Sequence, residues 1–352
     1  MQQDALKRLI VESVAERGIS AVKEDPKRSI RKLVDLGQEF AKGRFQKQFF
    51  QLCGHLLADE DSPYYHLLLA MARQVDTKRL RTFGVNLGWQ SWTVGANQIR
   101  GIEASEGFQV PWSLMFHLGA ADSFLSPEVF LRTLEEGKEL GIYTIMADGE
   151  GCRELTPYLD IVRQQRDSAF LFLLKPEQAI QYENQIMACS NLMVSISADG
   201  HTGWESAGDL LRDDGVQLGF HLRYDRDTLQ RWNGKAQNRA ALEPFFQHGG
   251  ICLFLLATES ADAESVERVC RGVRDYRNQP SAPLFPIDFY TDCNYVYGII
   301  SDDVSFLGIR ADGGINQCTE GREVPTELSL EGHTLRELLQ LLYPKEPQNA
   351  DK

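Results

Sequence analysis

The feature that most constrains this chain is an alternation, from residue 110 onward, of short apolar runs with amphipathic helical segments. Short apolar runs that alternate with helices are typical of βα units, in which helices cover both faces of a parallel sheet. Six units can be counted, whereas a closed TIM barrel has eight. We therefore predict an α/β fold, a partial (β/α)6 TIM-like barrel. The six apolar runs are VPWSLMFHL, IYTIMAD, SAFLFLLKP, NLMVSISAD, VQLGFHLRY and ICLFLLATE. The helices predicted after them cover residues 126–141, 152–165, 177–189, 204–213, 236–247 and 262–277.

The segments outside the barrel have different patterns. Residues 1–80 repeat apolar positions every three or four residues, which predicts a small N-terminal helical domain. Residues 81–106, rich in glycine and tryptophan, are interpreted as a bridging segment. The barrel is expected over 107–280, and a small strand-rich C-terminal segment with a final helix over 281–345. Residues 346–352 are expected to be a disordered tail.

Composition limits the class of partner. The chain has 352 residues, 43% of them hydrophobic, and 50 acidic against 37 basic residues give a formal charge of −13. An acidic chain is a poor match for a nucleic-acid backbone or an anionic membrane, so neither is expected as a partner. The N-terminal residues lack the uninterrupted apolar core of a signal peptide. A cytoplasmic location is therefore expected.

The cysteines are scattered and form no CxxC or paired zinc spacing. In a reducing cytosol they are expected to be buried thiols without a disulfide framework. The seven positions are Cys53, Cys152, Cys189, Cys252, Cys270, Cys293 and Cys318.

The order of a helical N-terminal region, a six-unit partial barrel and a C-terminal piece resembles the radical S-adenosylmethionine (radical SAM) superfamily. The resemblance is to the group with an N-terminal helical extension and a C-terminal segment like the SPASM type, and it covers nearly the whole chain. It rests on VPW at 110–112, LSPEVFLRTLEEGKELGIYTIMADGEG at 125–151, NLMVSISADG at 191–200, PLFPIDFYTDCNYVYG and IRADGGINQC.

The resemblance draws attention to an absence. In the family, the loop after the first strand carries CxxxCxxC, whose thiolates hold a [4Fe-4S] cluster. Here the corresponding loop, HLGAADSFLS from His117 to Ser126, contains no cysteine. Because such a cluster needs thiolate ligands, we interpret the chain as a degenerate member in which no [4Fe-4S] cluster is expected.

The resemblance also implies candidate cofactor contacts. A GGEP-like turn after the second strand, which contacts the amino group of S-adenosylmethionine in the family, corresponds to residues 148–151; Gly149 and Glu150 match it, and the other two positions depart from it. No bound cofactor is expected, although a vestigial S-adenosylmethionine pocket remains open as an alternative. Its candidate residues are Asp148, Gly149, Glu150, Gly151 and Ser197.

A metal site is the competing interpretation. In related proteins, C-terminal cysteines hold an auxiliary cluster, but here two thiols are too few for a four-ligand site. No metal is expected; the candidate ligands, if one binds, are His117, Cys152, Asp199, His201, Cys293 and Cys318. Polar residues at the strand ends could serve a divalent metal or an acid/base pair, and they also include Asp148, Glu150, His221 and Asp225. His221, inside FHLRY, fits a hydrogen-bonded core histidine at least as well.

Two functions follow. The first is a non-catalytic binding or regulatory protein whose partner is a protein or peptide, such as an active radical SAM paralogue. The alternative is an enzyme, either a radical SAM protein with displaced cluster ligands or a divalent-metal enzyme using the rim residues. No catalytic residue is assigned. Trp89, Trp92 and Trp112 are candidates for a contact surface, with buried packing as the alternative.

Overall fold

The N-terminal third of the chain is helical. The structure, a computed structural model, describes residues 2–40, 44–120, 122–232, 239–301, 303 and 305–345. The segment interpreted as a bridge is itself helical and includes a π-helical stretch, Asn86–Gly95. The helices are α1 (Gln2–Glu24), α2 (Pro26–Phe40), α3 (Arg44–Leu56), α4 (Pro63–Gln74), α5 (Thr77–Val85) and, after the π-helical stretch, α6 (Ala96–Glu106).

The predicted alternation of strands and helices is present. Capping residues begin several of the helices, as Ser126 does by accepting a hydrogen bond from the backbone of Val129. The strands are β1 (Ser113–His117), β2 (Thr144–Asp148), β3 (Ala169–Leu174), β4 (Leu192–Ser197), β5 (Gln217–Tyr224) and β6 (Cys252–Ala257). The helices between and after them are α7 (Pro127–Glu139), α8 (Thr156–Gln164), α9 (Pro176–Gln181), α10 (Glu183–Ala188), α11 (Trp204–Asp213), α12 (Arg226–Trp232), α13 (Arg239–Gln247) and α14 (Ala263–Asn278).

A seventh strand and helix follow where the sequence predicted a strand-rich segment. Strand β7 (Phe285–Asp288) leads directly into α15 (Phe289–Ser301). The aromatic residues of α15 favour strands by propensity, but they recur at helical spacing and are buried on one face of the helix. The strand-rich part begins only after this helix, with β8 (Gly308–Ile309), β9 (Gly314–Thr319) and β10 (Arg322–Ser329), and α16 (Leu335–Leu342) ends the described fold.

All ten strands form one sheet in the order β10-β9-β8-β1-β2-β3-β4-β5-β6-β7. Strands β1 to β7 pair in parallel, β8 pairs in parallel with β1, and β9 pairs antiparallel with both β8 and β10. The sheet is curled, and a contact between strands far apart in the sheet order shows it. Arg322 at the start of β10 donates a hydrogen bond of 2.8 Å to the carbonyl of Glu259, in the loop after β6. The fold is a curled half-barrel, which confirms the predicted partial TIM-like barrel.

Helix α7 packs on the outer face of the sheet, and α15 packs on its inner face. On the outside, the rings of Phe116 and Phe130 lie 4.8 Å apart between β1 and α7. On the inside, Phe289 of α15 packs 6.2 Å from Phe254 of β6, and Tyr297 hydrogen-bonds to Ser113 of β1. Helix α15 therefore bridges the two sides of the open half-barrel.

The N-terminal helices cover the amino ends of the strands. Asn86 donates to the carbonyl of Ser168, just before β3, and Ser91 hydrogen-bonds to Thr144 at the start of β2. Arg79 of α5 donates to the carbonyl of Cys189, between α10 and β4. These contacts close one end of the half-barrel and leave the opposite end, at the carboxyl ends of the strands, for a site.

Within the part of the chain that the structure describes, no helix is both long enough and apolar enough to span a bilayer.

Candidate functional site

Charged residues collect where the parallel strands end. His117 ends β1 and stands opposite Asp148, which ends β2, in the strand register. Glu150 follows β2, and Arg223 lies near the end of β5. Because the carboxyl ends of parallel strands share one edge of a half-barrel, these side chains meet at its mouth.

His117 links the barrel to the C-terminal hairpin. Its Nε2 lies 2.9 Å from a carboxylate oxygen of Glu323 on β10, and its Nδ1 lies 3.6 Å from Oδ2 of Asp148. The imidazole is therefore held between two carboxylates that come from opposite sides of the mouth.

Arg223 crosses the mouth from the other side. Its Nη2 donates to Oδ2 of Asp148 at 2.8 Å and to Oε2 of Glu150 at 3.4 Å. The backbone N–H of Glu150 donates to the other oxygen of Asp148 at 3.1 Å, and the backbone N–H of Arg223 donates to Asp199. The turn after β2 is thus tied to β5 by charge and by hydrogen bonds.

Glu323 is the most buried carboxylate of this group, with its side chain 5% exposed. Besides His117, it accepts hydrogen bonds from Tyr290 of α15 at 3.0 Å and from Asn316 of β9 at 2.8 Å. Every oxygen of this buried carboxylate therefore has a partner, as a buried charge requires.

The sequence did not identify Arg223, Tyr290, Asn316 or Glu323 as site residues. Arg223 stands in the quoted strand FHLRY, and its alternation with His221 could have indicated that both point inward. The other three lie beyond the six predicted barrel units, on α15, β9 and β10, and the tertiary structure brings them to the mouth.

His221 is a core histidine. The residue is fully buried, Ser195 lies 3.1 Å from its Nδ1, and Glu150 lies 2.6 Å from its Nε2. Because a carboxylate only accepts hydrogen bonds, Nε2 donates to Glu150. Ser195, His221 and Glu150 contact one another in the order of a hydrolytic triad. Ser195, which would be the nucleophile, has no exposed surface and cannot reach a substrate, so these contacts are structural.

The electrostatics keep the mouth ionised. Burial alone would lower the pKa of His117, but the negative charges of Glu323 and Asp148 outweigh it and raise that pKa to about 10. Burial opposes ionisation of the three carboxylates Asp148, Glu150 and Glu323, yet their hydrogen bonds and cationic neighbours hold the pKa of each below its usual value. His117 and Arg223 are thus the ion-pair partners of the three carboxylates.

The loop after β1 is closed on itself. The backbone N–H of Leu118 donates to the carbonyl of Asp148, and that of Leu125 donates back to Leu118. At the tip of the loop, the N–H of Ala120 donates to the carbonyl of Ser123 at 2.8 Å. Its backbone also rests on the next loop, since a Cβ placed on Gly119 would lie 2.5 Å from the carbonyl oxygen of Gly151.

This arrangement does not fit a [4Fe-4S] cluster held as in radical SAM proteins. The loop offers no thiolate, and its backbone fills the space beside the 148–151 turn. Burial raises the pKa of the Cys152 and Cys293 thiols and raises that of Cys318 to about 11.

The remaining predicted site residues are not gathered at one point. The thiol of Cys152 donates to the carbonyl of Glu154, and Cys318 accepts from Asn294. Ser197 is buried at the end of β4, and His201 is half-buried on the following loop. Across the described ranges, no three or more histidine, cysteine, aspartate or glutamate side chains are arranged to hold a metal ion.

The turn predicted to hold the cofactor is packed from behind. Gln178 donates to the carbonyls of Gly149 and Cys152, which fixes the backbone of the turn on α9. Asp225, the last rim candidate, accepts from the backbone N–H of Thr228 at the start of α12. Its hydrogen bond is that of a helix cap.

The tryptophans are part of an aromatic stack. The ring of Trp92 lies 6.1 Å from that of Trp112, which in turn packs 6.0 Å from Tyr297 of α15. Trp112 is buried and Trp89 is half-buried. For Trp92 and Trp112, packing between the N-terminal helices and the half-barrel accounts for the contacts.

Comparison with known proteins finds similarity in solved structures only. No protein-family model matches the sequence, and no curated protein matches it. The crystal structure of Streptococcus suis SuiB bound to the precursor peptide SuiA is similar over 69% of this chain and 67% of that chain, with 11% identity and a TM-score of 0.49. The 3-dehydroquinate dehydratase of Geobacillus kaustophilus HTA426 is similar over 68% of this chain and 91% of that chain, with 12% identity and a TM-score of 0.39. At these levels, neither similarity carries an inference about activity or ligand.

Proposed function

We propose that this chain is a non-catalytic binding or regulatory protein on a radical-SAM-like partial barrel, with a protein or peptide as its partner. An active radical SAM paralogue is one such partner. The observation that carries the proposal is the closed loop after β1, in which Gly119 lies against Gly151 and no thiolate is available. A barrel of this type without a cluster cannot perform reductive cleavage of S-adenosylmethionine.

The architecture supports a role in binding. The N-terminal helices, expected as a domain over 1–80 with a bridge over 81–106, close the amino end of the half-barrel. The barrel over 107–280 and the SPASM-like segment over 281–345 together form the mouth through His117 and Glu323. Rigid elements joined in this way provide a preformed surface for a partner. The acidic composition and scattered thiols support a cytoplasmic location for this protein.

Anaerobic reconstitution with iron and sulfide tests the loss of the cluster. We expect the reconstituted and desalted protein to retain no broad absorption near about 400 nm and much less than the roughly four irons per chain of a cubane cluster. A triple Cys152→Ser, Cys293→Ser, Cys318→Ser variant is the matched control. If the wild type gains about four irons and the triple variant does not, the chain has displaced cluster ligands and the proposal fails.

A metal-dependent enzyme is the second candidate, and the observation that favours it is that two carboxylates, Asp148 and Glu150, lie together around Arg223 at a partly exposed mouth. Oxygen ligands of this kind suit Mg²⁺ or Mn²⁺. Melting curves with each metal, on the wild type and on Glu150→Gln, distinguish the two functions. A metal-induced rise in melting temperature that the variant loses would favour the enzyme, and an absence of such a rise favours the binding protein.

A further inference from the structure

We infer that the carboxylates of Asp148 and Glu150 form a binding slot for a guanidinium or ammonium group, and that the chain fills this slot itself with Arg223. The inference goes beyond the proposed function, because it concerns which cationic groups can bind at the mouth. It rests on the proposed radical-SAM-like fold only where the amino group of S-adenosylmethionine is compared with the guanidinium of Arg223.

The contacts define the slot. Nη2 of Arg223 lies 2.8 Å from Asp148 and 3.4 Å from Glu150, so one guanidinium nitrogen serves both carboxylates. The same oxygen of Asp148 lies 3.6 Å from His117. Both carboxylate side chains are only 15% exposed. Carboxylates with so little access to water need a cationic partner.

Charge balance makes Arg223 necessary. Asp148, Glu150 and Glu323 contribute three negative charges to the mouth, whereas His117 and Arg223 contribute two positive ones. Removing the guanidinium would take away the Arg223 contact of Glu150 and leave it the hydrogen bond from His221. A buried carboxylate in that state would attract a small cation from solution.

The slot can be reached from outside. The Arg223 side chain is 29% exposed, so its truncation would open a path from solvent to the two carboxylates. The strand beneath would stay in place, because β5 lies between β4 and β6 in the sheet and the backbone N–H of residue 223 is held by Asp199. The truncated protein should therefore retain a shaped site and not a collapsed one.

The consequence concerns S-adenosylmethionine. By resemblance, the turn 148–151 corresponds to the family turn that contacts the amino group of that cofactor, and here both of its carboxylates contact Arg223. An incoming ammonium would have to break a charge-assisted hydrogen bond of 2.8 Å and displace a guanidinium into solvent. The residues present therefore do not fit the amino group of S-adenosylmethionine while Arg223 is in place.

Chemical rescue tests the slot. Arg223→Ala should melt at a lower temperature than the wild type, and millimolar methylguanidinium chloride should restore part of the loss. The matched control is Arg226→Ala, an arginine that is 66% exposed and lies 3.8 Å from Asp262. Neither the control nor the wild type should respond beyond the effect of sodium chloride at equal ionic strength. Tetramethylammonium, which has no N–H to donate, should not rescue Arg223→Ala.

Three results would overturn the inference: an equal response of Arg223→Ala and Arg226→Ala to methylguanidinium, the absence of any response in Arg223→Ala, or calorimetric binding of S-adenosylmethionine to the wild type. If Arg223→Ala does not fold, the melting temperatures of Arg223→Lys and Arg223→Met test the slot instead. The lysine variant keeps a cation in the slot and should melt at the higher temperature, whereas equal melting temperatures would refute the slot. None of these measurements uses iron, whereas the test of the proposed function does. A result that overturns the slot can therefore be told apart from a result that overturns the proposed function.

Discussion

The backbone of Gly119 lies directly against the backbone of Gly151, so that a Cβ on Gly119 would stand 2.5 Å from the carbonyl oxygen of Gly151. The two glycines hold together the loops that follow β1 and β2. The contact is possible only because neither residue has a side chain.

Gly119→Ala should destabilise the fold, because the added methyl group must displace backbone atoms and not a flexible side chain. We expect a loss of about 1–3 kcal/mol in the free energy of unfolding, measured by urea denaturation. The control is Gly101→Ala, at an exposed position inside α6 where a Cβ would meet no atom within 4 Å. That variant should gain up to about 1 kcal/mol from helix propensity, and equal effects at the two positions would contradict the close contact.

The ion pairs of His117 predict a dependence of stability on pH. Its pKa of about 10 in the folded chain stands above the 6.5 of the free side chain, because Glu323 and Asp148 outweigh its burial. A raised pKa contributes stability that is fully present below about pH 6.5 and is lost as the pH rises through 10. Between these values the slope should approach about 1.4 kcal/mol per pH unit.

His117→Gln is the comparison that isolates this effect. Other groups that titrate in alkali are present in both proteins, so the difference between their unfolding free energies should shrink steadily between pH 7 and 10. A difference independent of pH would mean that His117 is not held as a cation between Glu323 and Asp148.

Arg79 should be a strong link between the N-terminal helices and the half-barrel. Its guanidinium is buried and donates to the carbonyls of Ile186, Met187 and Cys189, at the end of α10. Hydrogen bonds to a charged group contribute about 1.5–3 kcal/mol each, so Arg79→Met should cost at least that much in urea denaturation.

Arg81, two residues along the same helix, provides the contrast. It pairs with Glu16, whose side chain is 52% exposed. Surface ion pairs contribute about 0–1 kcal/mol, so Arg81→Met should cost far less than Arg79→Met. Similar losses would show that helix α5 is not anchored through the carbonyls of α10.

Two of the three histidines proposed from sequence for the rim, His221 and His201, should behave differently. His221→Ala removes a buried ring that joins Ser195 to Glu150, and it should cost about 3–5 kcal/mol because it leaves a cavity and removes two hydrogen bonds. His201→Ala lies on a loop and should stay within about 0.5 kcal/mol of the wild type. Thermal and urea unfolding of both variants measure this, and a small effect at His221 would reopen its assignment as a core residue.

The barrel could be predicted from the sequence because its signals are local. Apolar runs such as AFLFLL are too short for helices and are buried on both faces of the sheet, and amphipathic segments follow them at regular intervals. The seventh unit was missed, because the aromatic residues of α15 resemble those of a strand until their partners inside the half-barrel are known.

The candidate site was predictable only in part. His117, Asp148 and Glu150 could be placed at the rim because each stands at or just beyond the end of a predicted strand. Their partners could not, because Glu323 is separated from His117 by 206 residues and Arg223 from Asp148 by 75. Sequence periodicity describes local structure and does not predict which distant charged residues form ion pairs.

The sequence by itself determined the alternation of strands and helices, the absence of cysteine in the loop after β1 and the excess of negative charge, since each is a property of composition or local order. The tertiary structure alone decided that the loop closes through Gly119 onto Gly151 and that Arg223 and His117 pair with the carboxylates of the mouth. The physical reason is that ion pairing and close backbone contact depend on distances of a few ångströms, which the curl of the ten-stranded sheet sets.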